Sequence, residues 1–144
     1  MSDFSVVDPS KIPPIAVASM DATHHEEVAV VNQIGRLIKA GQGGELDSEA
    51  LHTKLDEWIE HTRRHFAHEN RLMEEAGFAA YGVHSHEHTL VLARLELACK
   101  AWQTTGDLDA LADYVFAHWP EWFQGHVASM DTMTAVFLSR VGVK

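Results

Sequence analysis

Eleven of the 144 residues are histidine, well above ordinary usage. His65 and Glu69 are four residues apart, and so are His84 and His88. On a helix each such pair lies on one face, one turn apart. His24 and His126 sit on other segments, in phase with the apolar residues around them. These six polar groups therefore occupy positions that should be apolar. Burying them without partners would cost roughly 1–3 kcal/mol each. A metal removes that cost by taking up the imidazole lone pairs and the carboxylate charge together. Five imidazoles exceed what one tetrahedral zinc can use, so a second metal, with carboxylates bridging the pair, accounts for the surplus. Imidazole with carboxylate suits iron, although zinc and copper bind such ligands too. In the stretch VHSHEH (83–88), His86 points away from His84 and His88 and is read as a bystander.

These residues need helices to bring them together. Residues 1–20 carry Pro9, Pro13 and Pro14 and read as an extended arm. Residues 21–144 read as one domain, with turns at GQGGELD (41–47), AGFAAYG (76–82) and TTGDLD (104–109). Four helical segments follow, roughly 21–40, 47–76, 82–104 and 107–140. Strand signals are absent. The first inward stripe is His24, Val28, Val31, Ile34 or Gly35, and Ile38. The second is Leu51, Leu55, Trp58, Thr62, His65, Glu69 and Leu72. The third is Tyr81, His84, His88, Val91, Leu95 and Trp102; the fourth is Leu111, Val115, Trp122, His126 and Met133. The fold class is all-α, an up-down-up-down four-helix bundle with an extended N-terminal arm. Pro120 is expected to kink or split the last helix near His118–Trp119.

Composition narrows the function. The chain is 46% hydrophobic and 22% charged, with a net charge of −10, which disfavours nucleic acid and anionic membrane as partners. No apolar run approaches a membrane span, and MSDFSVVDPSKIPP does not read as a signal peptide. With one cysteine, Cys99, read as buried packing, the expected location is cytoplasmic. The acidic surface permits a monomer. A carboxylate-rich two-metal site needs two Glu-x-x-His pairs, whereas this chain has a single one, Glu49 to His52, and no His-Glu-x-x-His.

Four motifs occur in order along the four segments: Asp21-x-x-His24 followed by Asn32; His65-Phe66-x-x-Glu69-x-x-Leu72-Met73; His84-x-x-x-His88; and Trp122-x-x-x-His126 with Asp131. Over about residues 20–135 the sequence resembles the hemerythrins, specifically the stand-alone bacterial ones. The resemblance implies two non-haem iron ions with an oxo or hydroxo bridge. His84, His88 and His126 would hold one iron, and His24 and His65 the other, leaving it an open position. Glu69 and Asp131 would bridge. Dioxygen, bound reversibly at the open iron, is the implied ligand, and an oxygen-consuming enzyme a candidate recipient. Asp131 rests on the resemblance alone. It lies about 140° round an ideal helix from His126, so only a local distortion such as a π-type turn aims it inward.

The implied oxygen pocket is apolar and matches Phe66, Trp122, Phe123 and Val127. Where the family commonly has an aliphatic residue, this chain has Glu27, with Val28 beside it. The expected arrangement puts Val28 in the pocket and Glu27 in water. Turned inward, Glu27 would place a carboxylate near the open iron, able to bind it, relay protons or hasten oxidation. The family's second glutamate is replaced by Asn70, and its Tyr-Pro by Phe78-Ala79; neither difference touches a candidate ligand. Asp21 reads as an N-cap or an outer partner of the site. His25, His52, His68, His86 and His118 read as solvated; His61, one turn before His65, could support the site from outside. The leading function is oxygen storage, delivery or sensing without catalysis. The alternative is a di-iron enzyme consuming peroxide, oxygen or nitric oxide, and a regulatory module ranks third.

Overall fold

A computed structural model describes residues 4–144. The first three residues of the expected arm lie outside the described residues. Helix α1 is Ala18–Gln42, α2 is Ser48–Ala76 and α3 is Tyr81–Thr105. The fourth helix, α4, is a rod over 108–140. Its α-helical parts are Leu108–Asp113, Trp119–His126 and Thr132–Arg140, joined through π-helical Tyr114–His118 and Val127–Asp131. Among the described residues there is no strand, and the helices form an up-down-up-down bundle. Asp47 and Asp107 accept hydrogen bonds from the Ala50 and Ala110 amides, capping α2 and α4. Gly77 ends α2 at φ 69°, which side chains rarely adopt.

Two apolar cores bracket the candidate residues. The larger contains Ile34, Ile38, Leu51, Leu55, Trp58, Leu95, Val115, Trp119 and Phe123. The smaller contains Val17, Met20, Ala135 and Leu138. On every helix the candidate ligands fall between the residues of the two cores or at their edge. The site thus sits inside the bundle with a packed end on either side.

The N-terminal segment departs from a simple extended arm. Pro9–Lys11 is a 3-10 turn capped by Asp8, and α1 begins at Ala18, three residues before the expected 21. The N-cap is Val17, so Asp21 is a first-turn acid inside the helix rather than its cap. The buried Asn32 side chain accepts from the Val6 and Val7 amides and donates to the Val7 carbonyl, strapping the segment onto α1. Gly35 allows that close approach, since a Cβ there would stand 2.6 Å from Val6 Cγ2.

The inward stripes hold over most of their length, with four corrections. Met133 is 69% exposed, and Leu72, Tyr81 and Trp122 are only half-buried, while Met73 is fully buried. The Met133 error has a clear cause. The π turn at Val127–Asp131 takes more residues per turn than an α-helix, so the positions after it rotate. Thr134, Ala135 and Leu138 become the buried set. Pro120 neither splits the helix nor ends it. The π turn at Tyr114–His118 lies just before it, where the helix must absorb its missing donor and bulky ring.

The Asn32 strap is testable. Asn32→Leu leaves the Val7 amide and carbonyl unpaired in a buried setting. It should cost about 2–3 kcal/mol of unfolding free energy in metal-free protein, read by urea denaturation. A change under about 0.5 kcal/mol would mean the strap contributes nothing to stability.

Candidate metal centre

All four helices deliver side chains to one point. His24 comes from α1, His65 and Glu69 from α2, His84 and His88 from α3, and His126 and Asp131 from α4. Each is at most 5% exposed. Asp131 arrives through the π turn, which supplies the distortion its spacing required.

The two carboxylates split the centre into two halves. Asp131 Oδ1 lies 3.0 Å from His84 Nε2 and 3.2 Å from His126 Nε2, and Glu69 Oε1 lies 3.3 Å from His88 Nε2. The other oxygens face the opposite way. Asp131 Oδ2 lies 3.0 Å from His24 Nε2, and Glu69 Oε2 lies 2.8 Å from His65 Nε2 and 3.5 Å from His24 Nε2. Each half can hold a cation: Glu69, His84, His88, His126 and Asp131 in one, His24, His65 and Glu69 in the other. The donor set itself argues for cations. Buried side-chain atoms without a hydrogen-bond partner include His24 Nε2, His88 Nε2, Glu69 Oε1 and both Asp131 oxygens. Orphaned acceptors concentrated at one point are what a metal satisfies.

The outer edges of the rings are held as well. His84 Nδ1 lies 2.8 Å from Thr134 Oγ1, His88 Nδ1 lies 2.8 Å from Asn70 Oδ1, and His65 Nδ1 lies 3.3 Å from Glu27 Oε1. Glu87 faces His126 Nδ1 at 3.6 Å and accepts from Trp122 Nε1. Carboxylate and amide oxygens accept only, so Glu27 and Asn70 place a proton on Nδ1 of His65 and His88 and turn Nε2 toward the centre. Asn70 therefore does touch a candidate ligand, contrary to expectation. Thr134 was hidden by the phase shift of α4, and nothing in the spacing marks Glu87.

Glu27 overturns its expected place in water. It is 2% exposed. Its Oε2 accepts from Trp58 Nε1 at 2.8 Å and from Thr62 Oγ1 at 2.7 Å, and its Oε1 lies 2.6 Å from His61 Nδ1. The cause is local: Trp58, Thr62 and His61 form a polar strip on α2 facing α1, and it needs an acceptor. Val28 is buried too, in the larger core.

The predicted pocket residues divide between the halves. Phe66 stacks on His88 at 4.0 Å, and Trp122 stacks on His126 at 4.7 Å. Phe123 meets His24 edge-on at 5.8 Å, and Val127 is fully buried. Of the other histidines, His25, His52, His86 and His118 are exposed, and His68 is half-exposed. Cys99 is buried, and burial pushes its thiol up to about 12, so it is inert packing.

The charges of the centre are strongly coupled. Burial pushes the His24 imidazolium down, yet the Asp131 and Glu69 carboxylates outweigh it and carry its pKa up to about 9. Burial likewise opposes charge on His65, but Glu69 and Glu27 raise it well above the usual value. Burial acts to raise Glu69 and Asp131, and the surrounding histidines hold both below the usual carboxylate range. His88 is lowered, burial outweighing its contact with Glu69. In metal-free protein, protons serve as the cations of the site.

The fold and the site define a metal-binding four-helix bundle with a histidine-rich centre bridged by two carboxylates. The chain belongs to the hemerythrin family: residues 15–135 match the Hemerythrin HHE cation binding domain. It is similar to the bacteriohemerythrin of Aquifex aeolicus, with 28% identity over 131 residues, 90% of this chain and 95% of that protein. It is similar as well to the bacteriohemerythrin of Ralstonia nicotianae, with 34% identity over 125 residues, 87% of this chain and 83% of that protein. A non-haem di-iron protein fits both the family and the buried cluster.

Glu27 makes the metal-free protein acid-sensitive. Burial acts to raise its pKa, but hydrogen bonds with His61 and His65 lower it from the usual 4.5 to about 2. Such a carboxylate contributes full stability above its unfolded pKa and loses it as pH falls through the folded value. Glu27→Gln should cost on the order of 3 kcal/mol at pH 7. The gap should narrow between about pH 4.5 and 2, as read by urea unfolding across that range. A gap that stays constant with pH would show that the charge of Glu27 is not what stabilises the fold.

Proposed function

We propose that this protein binds dioxygen reversibly at two non-haem iron ions joined by an oxo or hydroxo bridge, for oxygen storage, delivery or sensing. One observation carries the reading: five buried Nε2 atoms converge on the two carboxylates. In this reading His84, His88 and His126 would hold one iron, and His24 and His65 the other. Glu69 and Asp131, whose two oxygens face opposite halves, would bridge them. Two histidines against three leave the His24–His65 side one donor poorer, which is the side where a small molecule would bind. Membership of the hemerythrin family supports iron as the metal and dioxygen as the ligand.

When bound, the iron pair supplies the electrons with which dioxygen is held and released. The chain's own residues orient and shield. Glu27, Thr134 and Asn70 fix the ring orientations of His65, His84 and His88 through Nδ1. Phe66 and Trp122 cover the three-histidine side, and Phe123 covers His24, keeping water from the ligands. Val28 and Val127 close the apolar wall behind them.

The test is iron content with the absorption spectrum, recorded in air, after anaerobic reduction and on re-admitting oxygen. Two irons per chain are expected, with bands that vanish on reduction and return as a distinct oxygenated form. His24→Ala should lower the iron content from two toward one by depleting the two-histidine side. One zinc per chain, or no metal, would overturn the proposal.

The inward turn of Glu27 favours a second reading, a di-iron enzyme consuming peroxide, oxygen or nitric oxide. It places an acid–base group against His65. Peroxide turnover by the iron-loaded protein and by Glu27→Leu separates the two. A near-zero rate unchanged by the substitution is expected. A substantial rate that Glu27→Leu abolishes would transfer the assignment to the enzyme.

A further inference from the structure

Helices α3 and α4 enclose a groove of about 500 Å³. Its apolar walls are Leu97, Ala98 and Ala101 from α3 and Trp119 and Trp122 from α4. A concavity of this size suits a small organic molecule, since pockets for such ligands are mostly apolar with a few placed polar groups. Two such groups are present. Arg94 lines the α3 side and the half-buried Tyr114 the α4 side. Arg94 forms no ion pair among the described residues.

We infer that the groove binds a small amphiphilic carboxylate, its hydrocarbon body against the two indoles and its carboxylate on the Arg94 guanidinium, beside the Tyr114 hydroxyl. Charge chooses this occupant. The chain carries 21 acidic residues against 11 basic ones, yet among the described residues no carboxylate lines the groove. Two carboxylates touch its lining residues, and both are engaged there: Asp113 with His118, and Glu87 with Trp122 Nε1. The Arg94 fork is thus left for an anion from solution, and its planar geometry matches a carboxylate through two parallel hydrogen bonds.

The net charge of −10 repels polyanions such as nucleotides, so a single negative charge on an apolar body is what the groove can admit. Burial raises the Tyr114 phenol above its usual value, so it keeps its proton and can donate to the same carboxylate. Trp122 also stacks on His126 at 4.7 Å, so the occupant would lie one indole away from the candidate metal centre. The groove itself does not depend on which metal that centre holds.

The test is isothermal titration calorimetry of the full chain with sodium decanoate, paired with tryptophan fluorescence, since Trp119 and Trp122 wall the groove. One decanoate per chain is expected, with Kd on the order of 100 µM. Decanol and decyltrimethylammonium should bind about tenfold more weakly or worse, because neither can pair with a guanidinium. Arg94→Gln should weaken decanoate about tenfold and leave decanol unchanged. Ala101→Trp, at an exposed position, should fill the groove and abolish binding with unchanged helical circular dichroism. Leu97→Asp, also exposed, should do the same by placing a like charge beside the ligand. No saturation up to roughly 5 mM decanoate, or decanol binding as tightly as decanoate, would overturn the inference. So would an affinity untouched by Arg94→Gln or by both groove variants.

Discussion

Two buried carboxylates among five imidazoles govern this structure. Glu69 and Asp131 have almost no contact with water, and an unpaired charge there would be untenable. Every helix must therefore reach them with cations or with groups that bind cations. This requirement sets the bundle's register. A shift of any helix by one residue would swing its histidine out of the centre and an apolar side chain into it. The packed ends on either side hold the rods at the spacing that lets Nε2 atoms from opposite helices approach the same oxygens.

The same constraint explains the irregular fourth helix. His126 and Asp131 cannot share a face on a regular helix, yet both are needed at the centre. The π turn between them resolves the conflict by spending an extra residue, and the remainder of the helix is rotated as a result. π turns recur where function demands a side chain that regular geometry would point elsewhere. The consequence reaches beyond the turn: Thr134 becomes the oxygen that meets His84 Nδ1, and Met133 moves to the surface.

Around the centre lies a ring of polar residues that orient without touching the point of convergence. It is asymmetric. The three-histidine half rests on Thr134 and Asn70, with Glu87 at its edge, whereas the two-histidine half rests on Glu27, itself held by Trp58, His61 and Thr62. His61 is the one extra histidine that the spacing tied to the site, and it reaches the site through Glu27. A glutamate stands at each end, Glu27 buried against His65 and Glu87 partly exposed beside His126, while neutral groups meet His84 and His88.

By itself the sequence determined the helical periodicity, the order of the four helices and the residues facing the interior. Those follow from local spacing, because hydrophobic phase is a property of neighbouring residues. Six of the seven candidate ligands were legible for the same reason: histidines and a glutamate on an apolar stripe contradict their surroundings, whereas Asp131 came from the family resemblance alone. Only the tertiary structure decided where Glu27 points, since its partners are 31 to 38 residues away on another helix. It alone revealed Asn70 and Thr134 as supports of the rings and Glu87 at the edge of His126, and it alone rotated the end of α4 through a π turn. These features depend on which oxygen lies within reach of which nitrogen across the bundle, and that distance is set by packing between helices, not by spacing along one.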